Sequence, residues 1–452
     1  MDAMTAPCPI TKIVKRNGNI VAYDRERIAT AIFKAAAAAG QPDRNLADSV
    51  AEKVEEALIR AGHGSAAMPT VEEIQDTVEE TLIEHRQTRI ARNYIIYRHE
   101  RAMARAAKSY SFEVTDNIPY KKIYNVLLWN MAHGCGTVDD LNALLRDGGL
   151  PELISAAEQR YADEIGLAAR QMLQRLDTLR LVIVAGPSSS GKTTTLIKIA
   201  ERLQAAGVAF KPMNLDNYFF DLDQHPRDEF GDYDYEAPQS LDIELIDQHL
   251  AALLAGHGVR TPAYDFKTGK RTLEAQDLRL ADREVLLIDS LHGLYEPMTR
   301  SVPHERKFRL YVETLGQLRA ADGTFMRWAD HRMLRRMLRD RDQRNSQPLE
   351  TIAHWQYVRR SELKFIIPYI HGADCVLDTA LPYELPILKH KLQACFPQAI
   401  ERFRDDPRRH DASVRAKRVL ALLEPLAAVT DDSVVPPTSV FREFIGGSAY
   451  TY

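Results

Sequence analysis

The segment Gly186–Thr193 has the residue types and the spacing of a loop that binds phosphate groups. It reads Gly-Pro-Ser-Ser-Ser-Gly-Lys-Thr, follows the apolar run Leu181–Ala185 and precedes a helical pattern over 194–206. The glycines permit backbone angles that turn successive N–H groups inward, toward phosphate oxygens at the positive end of the next helix. This pattern between a strand and a helix predicts an ATP-binding loop. The predicted nucleotide contacts are Gly186, Ser188, Ser189, Ser190, Gly191, Lys192, Thr193 and Thr194.

Acidic residues at the ends of two other apolar runs complete a candidate site for phosphate transfer. Asp289 ends the run Glu284–Asp289, and Asp216 comes just after the run Val208–Met213. In a doubly wound parallel sheet such ends lie at the edge where ligands bind. We expect Thr193, Asp216 and Asp289 to hold Mg²⁺, and Lys192 to contact the β- and γ-phosphates of ATP. The carboxylate of Asp216 is also placed to accept the proton of an attacking hydroxyl.

The elements that must position these residues follow an alternating pattern. Short apolar runs separated by helical patterns occur at Leu181–Ala185, Val208–Met213, Val285–Ile288, Phe308–Val312 and Asp374–Leu377. This alternation predicts an α/β fold of the P-loop NTPase type, a parallel sheet with helices on both faces. The predicted regions are a mainly helical N-terminal domain at 9–105, a helical connector at 106–178, the P-loop domain at 179–390, and a C-terminal helical extension with a tail at 391–452.

The N-terminal region carries turn and capping signals. Arg16-Asn17-Gly18 separates the runs 10–14 and 19–23, which predicts a β-hairpin. Asp24 is the expected cap of a helix over 25–39. Thr70 and Glu73 have capping-box spacing at the start of a helix over 70–85, and we expect two further helices, over 46–61 and 87–105.

The composition argues against several classes of protein. The net charge is −4 and the pI is about 6.4, so no overall positive field favours a nucleic-acid partner. The four cysteines show no C-x-x-C pair, which argues against a zinc ribbon or a disulfide framework. We see neither a signal peptide nor an apolar run long enough to span a bilayer. We therefore expect a cytoplasmic protein without a membrane partner, and a homo-oligomer.

As a set, the motifs resemble the uridine kinases, which belong with the phosphoribulokinases. The phosphate loop is followed by Leu215–Tyr218, Tyr233–Tyr235, Pro262–Phe266 and Leu334–Asp340 in the order and spacing of that family, over about residues 179–390. The resemblance implies a kinase that transfers the γ-phosphate of ATP to the 5′-hydroxyl of a nucleoside. The tail segment 442–447 is similar to that of a bacterial branch of nucleoside kinases.

The resemblance also implies roles for individual residues. Asp216 would be the base that activates the 5′-hydroxyl, Asp234 would hold the ribose hydroxyls, and Tyr264, with Tyr218, would lie at the substrate. Arg335, Arg339 and Arg344 would belong to a lid over the triphosphate, with Arg339 acting in catalysis. Several arginines on one helix suit this role because they neutralise charge that develops on a transferring phosphoryl group.

Three positions depart from the family pattern. Gly269 stands where uridine kinases have a histidine that reads the pyrimidine, Asp289 stands where glutamate is usual, and Ser346 replaces a lid arginine. One alternative is therefore a kinase for another small alcohol or a sugar phosphate, whose anionic group would meet Lys267, Lys270 and Arg271. Another alternative is a nucleotide-sensing regulator that binds ATP without transferring phosphate.

Residues 10–100 resemble an ATP-cone, the regulatory nucleotide-binding domain found at the front of ribonucleotide reductases. The resemblance depends on Val14–Gly18, on the helix from Arg25, and on the ending Tyr94–Arg98. It implies allosteric binding of ATP or dATP at Val14, Lys15 and Arg16. No reductase is expected, because the chain after this region carries the phosphate loop instead.

Overall fold

The chain divides into two compact units, Met1–Glu113 with Arg402–His410, and Val114–Glu401 with Asp411–Tyr452. The computed structural model describes residues 10–15, 20–64, 67–107, 117–227, 233, 236–266, 268–344, 346–406 and 409–451. Within this part of the chain, no helix is both long and apolar enough to cross a membrane.

The described part of the first unit contains a short hairpin followed by four helices. Its elements are β1 (Lys12–Val14), β2 (Ile20–Ala22), α1 (Arg25–Ala38), α2 (Arg44–Arg60), α3 (Val71–Glu84) and α4 (Thr88–Ala107). The two strands pair antiparallel, as the sequence predicts, although the turn residues Arg16, Asn17 and Gly18 lie outside the described residues. Asp24 caps α1, and the predicted capping box of Thr70 and Glu73 starts α3. Ile32, Phe33, Val54, Leu82 and Ile90 are in its core.

Among the described residues of the second unit, three helices precede the sheet. They are α5 (Tyr120–Ala132), α6 (Val138–Arg146) and α7 (Leu150–Leu173). One face of α7 is buried at Ala157, Tyr161 and Ile165. The Tyr161 hydroxyl shares a hydrogen bond of 2.8 Å with the Thr195 hydroxyl. The segment predicted as a connector therefore belongs, from residue 114 onward, to the compact unit that contains the phosphate loop.

A five-stranded parallel sheet is the centre of the second unit. Its members are β3 (Leu181–Ala185), β4 (Phe210–Asn214), β7 (Val285–Ser290), β8 (Lys307–Glu313) and β9 (Cys375–Asp378), in the order β4-β7-β3-β8-β9. β5 (Val259–Asp265) and β6 (Lys270–Leu278) form a separate antiparallel hairpin, which is not part of the five-stranded sheet. The register pairs Ala185 with Ser290 and Asn214 with Asp289. The carboxyl ends of β3, β4 and β7 therefore meet at one edge.

Helices flank this sheet, which confirms the predicted α/β fold. The helices that follow β3 along the chain are α8 (Lys192–Ala205), α9 (Ile243–Leu254), α10 (Trp328–Arg344), α11 (Pro348–Ser361), α12 (Glu384–Leu392), α13 (Cys395–Phe403), α14 (His410–Leu423) and α15 (Arg442–Ile445). β3 is buried along its whole length, because neighbouring strands and helices cover both of its faces. The loop after β3 leads directly into α8, which sets the position of the candidate site.

Candidate active site

The loop between β3 and α8 has the shape that its glycines allow. Gly191 has a φ of +87°, and a Cβ atom there would lie 2.5 Å from Cγ2 of Val440. A Cβ atom at Gly186 would lie 2.2 Å from the carbonyl oxygen of Val312. Any side chain at either position would therefore displace the loop, and the glycines keep its N–H groups close to the start of α8.

The hydrogen-bond donors of the loop suit a phosphate ligand. The hydroxyls of Ser189 and Ser190 are buried, and neither has a hydrogen-bond partner among the described residues. Lys192 is half-buried, and its ammonium group donates to the carbonyl of Pro187 at 3.2 Å. Buried hydroxyls without partners are costly, and phosphate oxygens are acceptors that satisfy them. The predicted loop residues are thus brought together around one anion-binding cradle.

Two of the three side chains expected to hold Mg²⁺ are in direct contact. The Thr193 hydroxyl donates to the Asp289 carboxylate at 2.9 Å. Hydroxyl and carboxylate oxygens are the hard ligands that Mg²⁺ prefers, and in phosphate-transfer sites the ion keeps waters and substrate oxygens in its other positions. This accounts for the finding that, in the described part of the chain, no group of three or more His, Cys, Asp or Glu side chains forms a metal site.

Asp216 lies at the same edge of the sheet, in the turn after β4. Asn214 fixes that turn, since its side-chain oxygen accepts the Asp216 N–H at 2.9 Å. Solvent reaches the Asp216 side chain, yet the surrounding protein displaces part of its water. This desolvation raises the pKa of the Asp216 carboxyl, the Asp289 carboxylate raises it further, and the positive charges of Lys192 and Arg344 oppose both effects. A carboxylate whose proton affinity is increased in this way suits a general base.

The arginines of α10 divide into two groups, and the first supports the loop from outside. The guanidinium groups of Arg332, Arg335 and Arg336 contact the loop at Ser188 O (3.2 Å), Ser189 O (3.5 Å) and Ser188 Oγ (3.2 Å), respectively. Arg335 is fully buried and forms an ion pair of 2.5 Å with Glu384. This corrects its expected place in a mobile lid: its charge is neutralised inside the protein, where it positions the loop.

The second group consists of Arg339 and Arg344. Arg344 is 59% exposed and lies 3.6 Å from Asp340, whereas Arg339 is 15% exposed. Desolvation, together with the positive charge of Arg344, lowers the pKa of Arg339 to about 10. The acidic groups nearby therefore do not fully compensate the Arg339 charge. A phosphate anion would supply the missing compensation, in keeping with the predicted role of these two residues.

An aromatic cluster stands beside Asp216. The ring centroid of Tyr264 lies 5.5 Å from that of Phe219, 4.9 Å from that of Phe266 and 6.5 Å from that of His225. The Tyr264 N–H donates to the Asn217 side chain at 3.3 Å, which links the cluster to the turn that carries Asp216. Phe266 is 64% exposed, so the cluster offers an apolar face suited to a planar ring.

Tyr218 and Asp234 are the two other residues expected to contact the substrate. Tyr218 is fully buried, and its hydroxyl is hydrogen-bonded to Nδ1 of His249 at 2.8 Å. Its expected contact with the substrate is therefore wrong, because the turn that exposes Asp216 directs Tyr218 into the core. Asp234 lies outside the described residues.

Gly269 occupies a tight turn between β5 and β6. Its φ is +67°, and an added Cβ would lie 2.9 Å from Cβ of Leu222. We expect Gly269→Ala to lower the free energy of unfolding by about 1 kcal/mol or more, because the left-handed backbone and this contact both disfavour a side chain. The matched control is Gly258→Ala, where a Cβ would meet only ordinary contacts, 3.7 Å at the nearest. Equal midpoints of urea unfolding for the two variants would contradict this explanation of the glycine.

Comparison with known proteins agrees with this geometry. Residues 11–103 match the ATP cone domain, and residues 181–383 match the phosphoribulokinase/uridine kinase family. A uridine kinase from Deinococcus deserti is 32% identical over 195 residues, which are 43% of this chain and 84% of the relative. The chain belongs to the phosphoribulokinase/uridine kinase family. Membership makes this kinase a phosphotransferase, and it confirms the family expected from the motifs.

A second relative and a solved structure are also similar to parts of this chain. A uridine kinase from Chloroflexus aurantiacus is 31% identical to this kinase over 203 residues, covering 44% of the chain and 88% of the relative. A solved structure of a possible uridine kinase from Bacillus stearothermophilus aligns with 49% of this chain and all of its own, at 16% identity and a TM-score of 0.33.

Some residues around the site escaped the sequence interpretation. Arg332 and Arg336 lie three residues before Arg335 and Arg339, so the helical spacing already placed all four on one face of α10. Thr379, whose hydroxyl bonds the carbonyl of Ser190 at 2.5 Å, had no signal of its own. It follows β9, and only the sheet order brings it beside the loop.

Proposed function

We propose that this kinase transfers the γ-phosphoryl group of ATP to the 5′-hydroxyl of a nucleoside. The observation that carries the proposal is the placement of Asp216 at the sheet edge it shares with Asp289, with Lys192 near enough to affect its pKa and with the aromatic cluster of Tyr264 linked through Asn217 to the same turn. A polar base next to an apolar face matches an acceptor that has a reactive hydroxyl and a planar ring.

Each part of the site has a task in this proposal. The loop N–H groups and Lys192 bind the phosphates, and Thr193 and Asp289 hold the metal. When bound, Mg²⁺ neutralises charge on the phosphate oxygens. Asp216 accepts the proton of the attacking hydroxyl, and Arg339 and Arg344 stabilise negative charge on the group in transfer. Arg332 and Arg335 hold loop carbonyls and Arg336 holds the Ser188 hydroxyl, so that the donors stay in place during the reaction.

The charges near Gly269 speak against an anionic acceptor. Lys270 bonds the Asp221 carboxylate at 3.0 Å, and Arg271 pairs with Asp242 at 2.9 Å while its guanidinium lies 4.9 Å from the centroid of the Phe220 ring. Both cations therefore already have acidic partners. This favours a neutral nucleoside over a sugar phosphate, and it makes Arg271 a residue that stabilises the hairpin rather than a substrate contact.

Replacing Lys270 with alanine tests that preference. We expect the KM for a nucleoside acceptor to change less than about twofold, because an exposed ion pair such as Lys270–Asp221 contributes little. Steady-state kinetics with a nucleoside and with a sugar phosphate would measure this. A sugar phosphate that is phosphorylated by the wild type, with a KM about tenfold higher in Lys270→Ala, would favour the alternative acceptor.

We also propose that nucleotide binding to the first unit regulates the kinase. The support is its match to the ATP cone domain, with Lys15 exposed at the end of β1. The Val14 N–H is already hydrogen-bonded to Pro69 O at 3.0 Å, so Lys15 is the described residue left to meet phosphates, and Arg16 lies outside the described residues. A change in the initial rate with dATP that is absent in Lys15→Ala would support this regulation.

The direct test of acceptor use is ADP formation with matched acceptors. The proposal predicts that a nucleoside stimulates ADP formation and that its 5′-deoxy counterpart, which lacks the attacking hydroxyl, does not. ATP binding without stimulation by any nucleoside or sugar phosphate would instead favour a nucleotide sensor.

A further inference from the structure

The C-terminal tail, defined here as residues 440–447, ends beside the phosphate loop. Val440, Phe441 and Phe444 are buried, and α15 lies against α10. Oε2 of Glu443 accepts hydrogen bonds from the backbone N–H of Thr194 at 3.2 Å and from the Thr194 hydroxyl at 2.7 Å. Thr194 is the third residue of α8 and is fully buried.

This contact involves a group that the phosphate cradle requires. The first N–H groups of a helix have no partner within the helix, which makes them donors for anions. The first i to i−4 hydrogen bond of α8 is donated by the N–H of Thr195 to Gly191 O, at 3.1 Å. The Thr194 N–H comes just before this first intrahelical bond, and the Glu443 carboxylate accepts it.

The same carboxylate faces a second phosphate-binding group. Oε1 of Glu443 lies 3.9 Å from the Arg339 guanidinium, which the proposed function assigns to the triphosphate. Glu443 thus contacts both a backbone donor and a cation that a nucleotide would use. A phosphate carries the same charge sign and the same acceptor atoms as the carboxylate, so the two compete for these groups.

We propose that the tail is an internal competitor of the nucleotide. Glu443 takes an anion position of the phosphate cradle, ATP binding displaces it, and the release of the tail accompanies the loading of the site. This inference rests on the proposed function in taking ATP as the ligand and in assigning Arg339 to the triphosphate. The proposed phosphate-transfer reaction gives residues 440–447 no role, and this inference gives them one.

The tail is held in place by groups other than Glu443. The Arg442 guanidinium donates to the carbonyls of Asp432 at 2.6 Å, Val435 at 2.8 Å and Gly446 at 3.3 Å. The side chain of Gln343 donates to the carbonyl of Glu443 at 3.0 Å. Arg442 stabilises the bound position of the tail without contacting the phosphate loop. Its loss should therefore weaken the competitor and leave the cradle intact.

Nucleotide affinity tests the inference independently of turnover. Calorimetry would give the Kd of Mg-ATP and of inorganic tripolyphosphate for the wild type, Glu443→Gln, Arg442→Ala and the control Glu424→Gln, which removes an exposed acid of the same C-terminal region. A charge-assisted hydrogen bond lost from the competing state should tighten both ligands about tenfold in Glu443→Gln. Arg442→Ala should also tighten them, whereas Glu424→Gln should match the wild type.

The opposite results are distinguishable. Unchanged or weaker binding in Glu443→Gln, with ATP bound normally by the wild type, would overturn the tail inference and leave the proposed function standing. A failure of the wild type and every variant to bind ATP or tripolyphosphate would overturn the proposed function, and the tail inference with it. Thermal unfolding without ligand checks that each variant is folded.

Hydrogen exchange gives a second readout that needs no variant. The backbone amides of residues 440–447 should exchange faster in the full-length protein when ATP is added at saturation, because the tail then leaves its site. Equal or greater protection of these amides with ATP would show that the tail stays in place, and would contradict displacement.

Discussion

Replacing Lys192 with alanine should reduce phosphoryl transfer by about 10²- to 10³-fold, since one preorganised donor to a developing negative charge is typically worth that much. Lys192 starts α8 and donates to Pro187 O at 3.2 Å, a weak bond to a loop carbonyl that a phosphate can replace. Initial rates of ADP formation at saturating acceptor would measure the effect.

Lys198→Ala is the matched control for Lys192→Ala. Lys198 is on the same helix, but its ammonium group lies 5.3 Å from the centroid of the Tyr161 ring, on the side of α8 that faces α7. We expect this variant to keep the turnover number within about twofold, as for a substitution remote from the reacting groups. Equal losses in both variants would mean that Lys192 acts through the stability of α8 and not through the phosphates.

Replacing Asp216 with asparagine should lower kcat by about 10² to 10⁴, the usual contribution of a general base, while ATP still binds. Because desolvation and Asp289 raise the pKa of Asp216, the acidic limb of the wild-type pH–rate profile should lie above the ordinary pKa of an aspartate. The rate should fall as the pH drops through that raised value, since protonation removes the base. A normal kcat in Asp216→Asn would refute the assigned role.

Asp216→Asn should lower kcat but raise the stability of the folded protein at neutral pH. For an acid whose pKa is raised by folding, the stabilising contribution is complete below the pKa of the unfolded chain and is lost as the pH rises through the folded value. At neutral pH the ionised Asp216 is thus unfavourable in the folded protein. Asp216→Asn should therefore have a higher Tm than the wild type at pH 8 without ATP or Mg²⁺. This advantage should disappear below about pH 4. A lower Tm at pH 8 would contradict the desolvation of Asp216.

The sequence predicted those parts of the site that depend on local patterns. The structure of the loop Gly186–Thr193 is determined by the local sequence. Its glycines, its lysine and the flanking apolar run specify a strand, a turn and a helix within about twenty residues. The positions of Asp216 and Asp289 followed from the rule that carboxyl ends of parallel strands share one edge. The register, which pairs Asn214 with Asp289, agrees with that expectation.

The remaining features depend on contacts between distant segments. Thr194 and Glu443 are 249 residues apart, and Arg335 and Glu384 are 49 residues apart. No periodicity in the sequence connects such pairs, so Arg335 was expected in a lid when it is in fact buried. The orientation of Tyr218 also depends on packing, since its neighbours in sequence, Asp216 and Asn217, face the site while Tyr218 reaches His249.

The acceptor of the γ-phosphoryl group defines the proposed reaction of this kinase. The most direct measurement is the mass of the product after the full chain is incubated with Mg-ATP and a panel of nucleosides and small sugar phosphates, with Lys192→Ala as the blank. We predict a nucleoside that gains one phosphate in the wild-type reaction and remains unmodified in the blank. A phosphorylated sugar phosphate with every nucleoside unchanged, or bound ATP with no phosphorylated product from the panel, would contradict the proposed nucleoside kinase.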